Sequence, residues 1–439
     1  MTLDETLRAG PAYAGYAYSY PHKTAYRPLD PPVPLAPAWA AERRDALFLY
    51  VHVPFCGMRC GFCNLLTKAR PKADLVAGYL AALDRQAARV LGALGAATFA
   101  RYAIGGGTPT YLDRADLARV LAVVDRMTGG SGAALPGSVE VAPGTVDRDK
   151  LALLRDRGVT RVSIGVESFD EGEAAAVYRP QRADTVLGAL DLIRASGAPT
   201  LNIDLIYGLP GQTVATWLGS VRAALRWRPE ELYLYPLYVR PLTGLGKSGR
   251  DWDDQRLACY RAARDYLLGE GYEQTSMRMF RAPHAPADAG PAYRCQEDGM
   301  VGLGCGARSY AGDLHYATEY AVGARGVGEI IADYAARPAE AFDRADYGIV
   351  LGPDDRRRRH VIQSLLAPEG LDLAGYARRF GTAAPVDLPE LQELEPLGLA
   401  TSSDAVLRLT AAGVERSDAL GPWLYSARVR GLMGDYAWR

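Results

Sequence analysis

Residues 50–63, "YVHVPFCGMRCGFC", put Cys56, Cys60 and Cys63 on one short stretch. The run that leads into it, "LFLYVHV" (47–53), is rich in β-branched and aromatic residues, so the cysteines follow the carboxyl end of a strand. Their spacing is Cys-x3-Cys-x2-Cys. A closed structural zinc site needs a fourth ligand. None lies nearby: position 64 is Asn, position 65 is Leu, and His52 belongs to the strand itself.

The strand-then-loop pattern recurs outward from this point. Further β-rich runs are "ARYAIGG" (100–106), "SVEVAP" (138–143), "RVSIGVE" (161–167), "LNIDLIYG" (201–208) and "ELYLYPL" (231–237). Periodic Ala/Leu/Arg-rich segments fall between them, near 74–91, 114–127, 147–157, 183–196, 213–226 and 253–269. This alternation predicts an α/β fold with a parallel sheet and helices outside it. A partial or complete TIM-like (β/α) barrel leads, and a doubly wound open sheet is the rival. In both, chemistry belongs at the carboxyl ends of the strands.

Residues 1–45, rich in Tyr and Pro, are expected to form an irregular segment laid over the barrel core of 46–350. Residues 351–439 open with "PDDRRRRHVIQSLL" and suggest a small helical, winged-helix-like C-terminal domain. The run Arg356–Arg359 reads as a solvated helix face rather than a nucleic-acid surface.

A chain of 439 residues, 49% hydrophobic and 23% charged, can bury a sizeable core. Its net charge of −1 supplies no field for nucleic acid or membrane. The opening "MTLDETLRAG" has no secretory pattern, and no uncharged apolar stretch is long enough to span a bilayer. The expected compartment is the cytoplasm, where disulfides are rare. Cys259, Cys295 and Cys305 are scattered and read as small buried hydrophobes.

Three thiolates suit a [4Fe–4S] cluster with one iron left open. An open iron accepts an amine and a carboxylate together, the methionyl end of S-adenosylmethionine (SAM). Carboxylates then cluster at strand ends: Glu140 ends the third run, Glu167 ends the fourth, and Asp204 lies in the fifth, sharing a face with Asn202 and Ile206. Each is either a structural ion pair or a contact to a nucleoside, because an idle buried carboxylate is costly.

"YVHVPFCGMRCGFC" resembles the signature of the radical SAM superfamily, and "YVHVPF" that of its HemN-like family, the group around oxygen-independent coproporphyrinogen III oxidase. The resemblance runs from about residue 47 to the C-terminus. It implies that Cys56, Cys60 and Cys63 hold a [4Fe–4S] cluster and that SAM is bound, with two molecules expected. It implies that carbonyls of Gly106, Gly107 and Thr108, in "GGGTPTYL" (105–112), accept from the SAM ammonium. It further implies that Arg179 meets a SAM carboxylate, that Tyr50 and Phe62 lie beside the cluster and the adenine, and that Gln296 touches a second SAM. Glu140 and Asp204 become candidates for ribose hydroxyls. Glu167 replaces an amide of the oxidase and is the catalytic candidate; Glu167 and Tyr238 are the two residues considered as general bases. A flavodoxin- or ferredoxin-type electron donor and a small-molecule substrate are the implied partners.

Three functions are compatible with that family. The oxidase itself carries a further cysteine where this chain has Leu65. A non-enzymatic haem-carrying relative, a binding module without turnover, carries a His-Asn motif where this chain has "CQEDGM" (295–300), with His315 the only histidine nearby. The preferred expectation, by elimination, is a radical methyl- or methylene-transferring enzyme that uses a second SAM on an sp2 carbon, giving C-methylation or cyclopropanation.

Overall fold

The computed structural model describes residues 2–130, 132–248, 255–287 and 291–439. Its centre is a run of six parallel strands: β2 (Leu47–Val53), β3 (Phe99–Gly106), β4 (Gly137–Val141), β5 (Arg161–Glu167), β6 (Thr200–Tyr207) and β7 (Glu231–Pro236). They lie side by side in chain order, the winding of a (β/α) barrel rather than of a doubly wound sheet. The barrel is partial. Past β7 the sheet continues into antiparallel β8 (Met279–Arg281). Past β2 it continues through parallel β9 (Met300–Leu303) and then antiparallel β10 (Arg308–Ala311), β11 (Leu314–Ala317), β12 (Arg344–Val350) and β1 (Arg27–Pro34).

The helices between strands start where the sequence supplies a cap. Asp113, Asp147, Asp170 and Thr213 each accept from a backbone amide three residues on, satisfying donors that a helix N-terminus leaves unpaired. The segment expected at 253–269 is a helix over Arg256–Gly269; residues 253 and 254 lie outside the described residues.

Alternation along the strands divides the barrel wall in two. Leu47, Leu49, Val51, Val139, Val162, Ile164, Leu201, Ile203, Leu232 and Leu234 point outward into one core with the helices. The opposite face carries Tyr50, His52, Ser138, Glu140, Arg161, Ser163, Asn202, Asp204, Tyr233 and Tyr235. A small barrel normally fills its interior with branched aliphatic side chains. This one is lined with polar and aromatic groups, so its interior is a chamber.

The N-terminal segment is more ordered than its composition suggests. It forms a capped helix (Leu3–Ala9), the edge strand β1 and a short helix (Leu35–Ala40). Leu3, Ala17, Tyr20 and Tyr26 share a second core with Val361, Ile362, Leu365 and Tyr425 of the C-terminal domain. Leu3 N donates to Glu393 at 2.6 Å and the Tyr20 hydroxyl to Asp355 at 3.0 Å.

The C-terminal domain combines a helix (Pro353–Leu365) with a hairpin (Ala400–Ser403 and Val406–Leu409) and further short helices. The arginine run is not a uniform solvated face. Arg358 pairs with Asp354 and Glu390, Arg357 with Asp387, and Arg359 is buried, donating to the Cys295 carbonyl at 2.6 Å. Among the described residues no helix is long and apolar enough to cross a membrane.

Candidate active site

The cysteine loop leaves β2 at the mouth of the barrel. Cys56, Cys60 and Cys63 lie within electrostatic reach of one another, and each sulfur has a partner. Thr108 Oγ1 donates to Cys56 at 3.6 Å, Arg179 Nη1 to Cys60 at 3.3 Å, and Thr67 Oγ1 lies 3.3 Å from the Cys63 sulfur. Burial pushes the Cys56 thiol up to about 12 and raises Cys60 as well, so bound metal is what would make them thiolates. Among the described residues, no three His, Cys, Asp or Glu side chains gather to hold a single ion. A [4Fe–4S] cluster asks for less, since each thiolate binds its own iron, and hydrogen bonds to its sulfurs tune it. The donor set therefore fits the cluster.

The loop after β3 is built from glycines that tolerate no side chain. A Cβ on Gly105 would fall 2.7 Å from the Glu140 carboxyl, and one on Gly107 2.6 Å from the Phe55 carbonyl oxygen. Gly106 has φ +103°, and its Cβ would lie 2.3 Å from the His52 ring. The amides of this loop are committed: Gly106 to Glu140 at 2.9 Å, Gly107 to the Val53 carbonyl and Thr108 to the Phe55 carbonyl, both at 2.7 Å. Ligand contacts thus fall to its carbonyls, though that of Thr108 already accepts from Tyr111.

Glu140, Glu167 and Asp204 lie within electrostatic reach of one another, and Arg179 stands beside Glu167. Glu140 faces the open interior; burial, opposed by the Gly106 amide, pushes its carboxyl up to about 7. Glu167 stands at a β-bulge with φ +64°, a backbone that non-glycine residues seldom adopt and that marks functional sites. Burial pushes it up to about 7 against the pull of Arg179, 3.7 Å away. Asp204 accepts from Asn202 at 2.7 Å and Ser163 at 3.0 Å, and burial raises it. The Asn202 side-chain oxygen is buried without a partner among the described residues, which is the mark of a missing donor. Arg161 binds Glu231 at 2.6 Å and lies over the Tyr233 ring. It shares the period-two face of "RVSIGVE" with Glu167, a signal the sequence reading passed over.

Tyr50 lines the chamber, its hydroxyl 3.3 Å from His52 Nδ1, while His52 Nε2 meets the Leu66 carbonyl at 3.0 Å. Phe62 packs with Val177, Ile206, Leu209, Leu237 and Leu245 above the chamber. Gln296 is not brought to this group. It sits on the turn that enters β9, at the end of the strands remote from the cysteines, beside Cys295 and His360. Tyr238 is equally committed elsewhere, bonded to Asp418 and Arg278, so it is no free base. His315 is buried against the Tyr310 ring, 4.3 Å between centroids. Cys259 and Cys305 are buried as expected; Cys295 is exposed.

Similarity to known proteins extends over most of the chain. Residues 50–224 match the Radical SAM superfamily. The chain is 28% identical over 390 residues to the oxygen-independent coproporphyrinogen III oxidase of Escherichia coli, covering 84% of this chain and 82% of that protein. It is 30% identical over 275 residues to the heme chaperone HemW of Escherichia coli, covering 60% and 69%. The structure of coproporphyrinogen III oxidase (HemN) from Escherichia coli, described as a radical SAM enzyme, superposes with a TM-score of 0.76 at 26% identity over 88% of this chain and 92% of that one. The family match over the cysteine loop and barrel, with the superposition, makes this a radical SAM protein. Within that class, this chain belongs to the HemN-like family.

Cys56, Cys60 and Cys63 would hold the cluster, which would supply the reductive cleavage of SAM. The chain's part is placement. On the expected assignments, Arg179 would present a planar fork to a carboxylate, the glycine loop carbonyls to an ammonium, and Glu140 and Asp204 oxygens to hydroxyls.

Proposed function

We propose that this chain turns the radical on a carboxylate-bearing porphyrinogen, as an oxygen-independent coproporphyrinogen III oxidase. The supporting observation is the extent of the likeness: 26% identity and a TM-score of 0.76 across 88% of this chain and 92% of the Escherichia coli oxidase. This departs from the methyl- or methylene-transfer expectation, which none of the similar proteins named above supports. That expectation stays as the second reading because of one residue. Leu65, standing where the oxidase carries a further cysteine, is 49% exposed beside the cysteine loop. Two SAM molecules, a flavodoxin- or ferredoxin-type donor and a cytoplasmic setting belong to the same proposal.

The test is anaerobic protein with reconstituted cluster, reductant, SAM and coproporphyrinogen III. Consumption of the porphyrinogen with formation of 5′-deoxyadenosine is the expected result. S-adenosylhomocysteine with a methylated product moves the assignment to the second reading. A haem Soret band without nucleoside moves it to a carrier.

A further inference from the structure

The chamber has two electrostatic halves. Glu140, Asp204 and Glu167 make one of them acidic. Beyond Tyr50, which feels both Glu140 and Arg308, lies a basic half assembled from distant parts of the chain. Arg308 comes from β10, Arg240 from the segment after β7, and Lys23 from the N-terminal segment that closes over the mouth. All three act on the buried His22 ring, each favouring its neutral form after burial itself.

Arg308 is enclosed yet reaches open space, and the groups it feels are tyrosines: Tyr310, Tyr26, Tyr16 and Tyr50. Lys23 bonds the Gly306 carbonyl and stands 5.8 Å from the centroid of the Tyr320 ring. Arg240 stands 5.4 Å from that of Tyr238. Among the described residues none of the three has a carboxylate partner. Three other interior cations do: Arg161 has Glu231, Arg179 has Glu167 and Arg278 has Asp418, whereas Arg359 rests on the Cys295 carbonyl and near the Tyr310 ring.

Enclosing like charges without a counter-ion is unfavourable twice over, through lost hydration and mutual repulsion. Such a cluster persists where a ligand brings the negative charge. The basic half also adjoins the reacting centre. Tyr320, which feels Arg240, Arg308 and Cys63, donates its hydroxyl to the Asn64 carbonyl at 3.0 Å, on the cysteine loop.

We propose that Lys23, Arg240 and Arg308 form a carboxylate site that positions an acidic group of the ligand beside the cysteine loop. The proposal rests on the porphyrinogen reading for one of its two sources of carboxylate, a substrate side chain; the other is the methionyl carboxylate of a second SAM. In either case these are positioning residues, and part of the site arrives only when the N-terminal segment is in place.

The experiment is equilibrium binding to the anaerobic, cluster-loaded protein. Three probes are used: coproporphyrin III, its tetramethyl ester, and SAM. The variants are Arg308→Gln, Lys23→Gln and the charge-keeping Arg308→Lys, with iron content and circular dichroism as controls for folding. Weakening of coproporphyrin binding by about tenfold or more in both Gln variants, with the ester unaffected and partial rescue by Arg308→Lys, assigns the site to a substrate carboxylate. Weakened SAM binding with coproporphyrin unaffected assigns it to SAM. Equal affinities of wild type and Gln variants for all three overturn the proposal. Failure of the wild type to bind coproporphyrin refutes the porphyrinogen reading instead, and SAM affinity then decides the site alone.

Discussion

Arg179 touches Cys60 and Glu167 at once: its guanidinium donates to the Cys60 sulfur at 3.3 Å and lies 3.7 Å from the Glu167 carboxylate. One planar cation thus ties the cluster loop to the end of β5. Replacing Arg179 by Gln keeps a donor and removes the charge. SAM affinity is expected to fall about tenfold or more while bound iron stays near the wild-type amount, as three thiolates remain. Loss of iron together with SAM would show that Arg179 serves the loop rather than the nucleoside.

The cysteines differ in placement: Cys56, Cys60 and Cys63 share the loop after β2, and Cys295 is exposed elsewhere. Cys60→Ser should lose the charge-transfer absorption and most iron of the reconstituted protein. Cys295→Ser, at an exposed position far from the loop, should retain both. Iron analysis and visible spectra decide it.

Gly106 permits one outcome. Alanine there must hold φ +103° with a Cβ 2.3 Å from the His52 ring. Strain and overpacking together should cost about 3 kcal/mol. A denaturant midpoint unchanged from wild type would mean that the loop after β3 can relax.

Glu140 gives a pH signature with a defined sign. Its folded carboxyl titrates at about 7 rather than 4.5, so the folded state prefers the proton. The associated stability is complete below the unfolded value and is lost as pH rises through the folded one. In SAM-free protein, the wild type should therefore lose melting temperature relative to Glu140→Gln between about pH 5 and about pH 8. A difference that is flat, or grows with pH, contradicts the burial that raises this group.

Asp418 and Arg278 form a buried ion pair, 2.6 Å, between the C-terminal domain and the turn before β8. Asp418→Asn should destabilise by about 3–5 kcal/mol, because it strands a buried guanidinium. Thermal unfolding that is indifferent to the change would show that the Tyr16 and Tyr18 rings, with centroids 4.6 and 5.1 Å from the guanidinium carbon, hold the cation by themselves.

The barrel was legible because its signals are local. "LFLYVHV" and "LNIDLIYG" carry the period-two alternation that places Leu47, Leu49 and Val51 outward and Asn202 and Asp204 inward. The cysteine loop and the acidic half of the chamber follow from single strand ends. The basic half was not legible. Lys23, Arg240 and Arg308 are far apart in sequence and meet only because β10 is drawn beside β9 and the N-terminal segment folds back over the mouth. Gln296 shows the reverse: a local likeness suggested a ligand contact, but the direction of β9 sets that residue at the other end of the sheet. The Tyr/Pro composition of the first 45 residues hid two helices and a strand, since Arg27–Pro34 is stabilised by pairing with Arg344–Val350 rather than by its own propensity.

The anchoring of Leu3 on Glu393 and of Tyr20 on Asp355 clasps the N-terminal segment to the C-terminal domain. The same segment carries Lys23 to the Gly306 carbonyl. Loosening the clasp from the C-terminal side would therefore be felt at Lys23, without any change to a barrel strand.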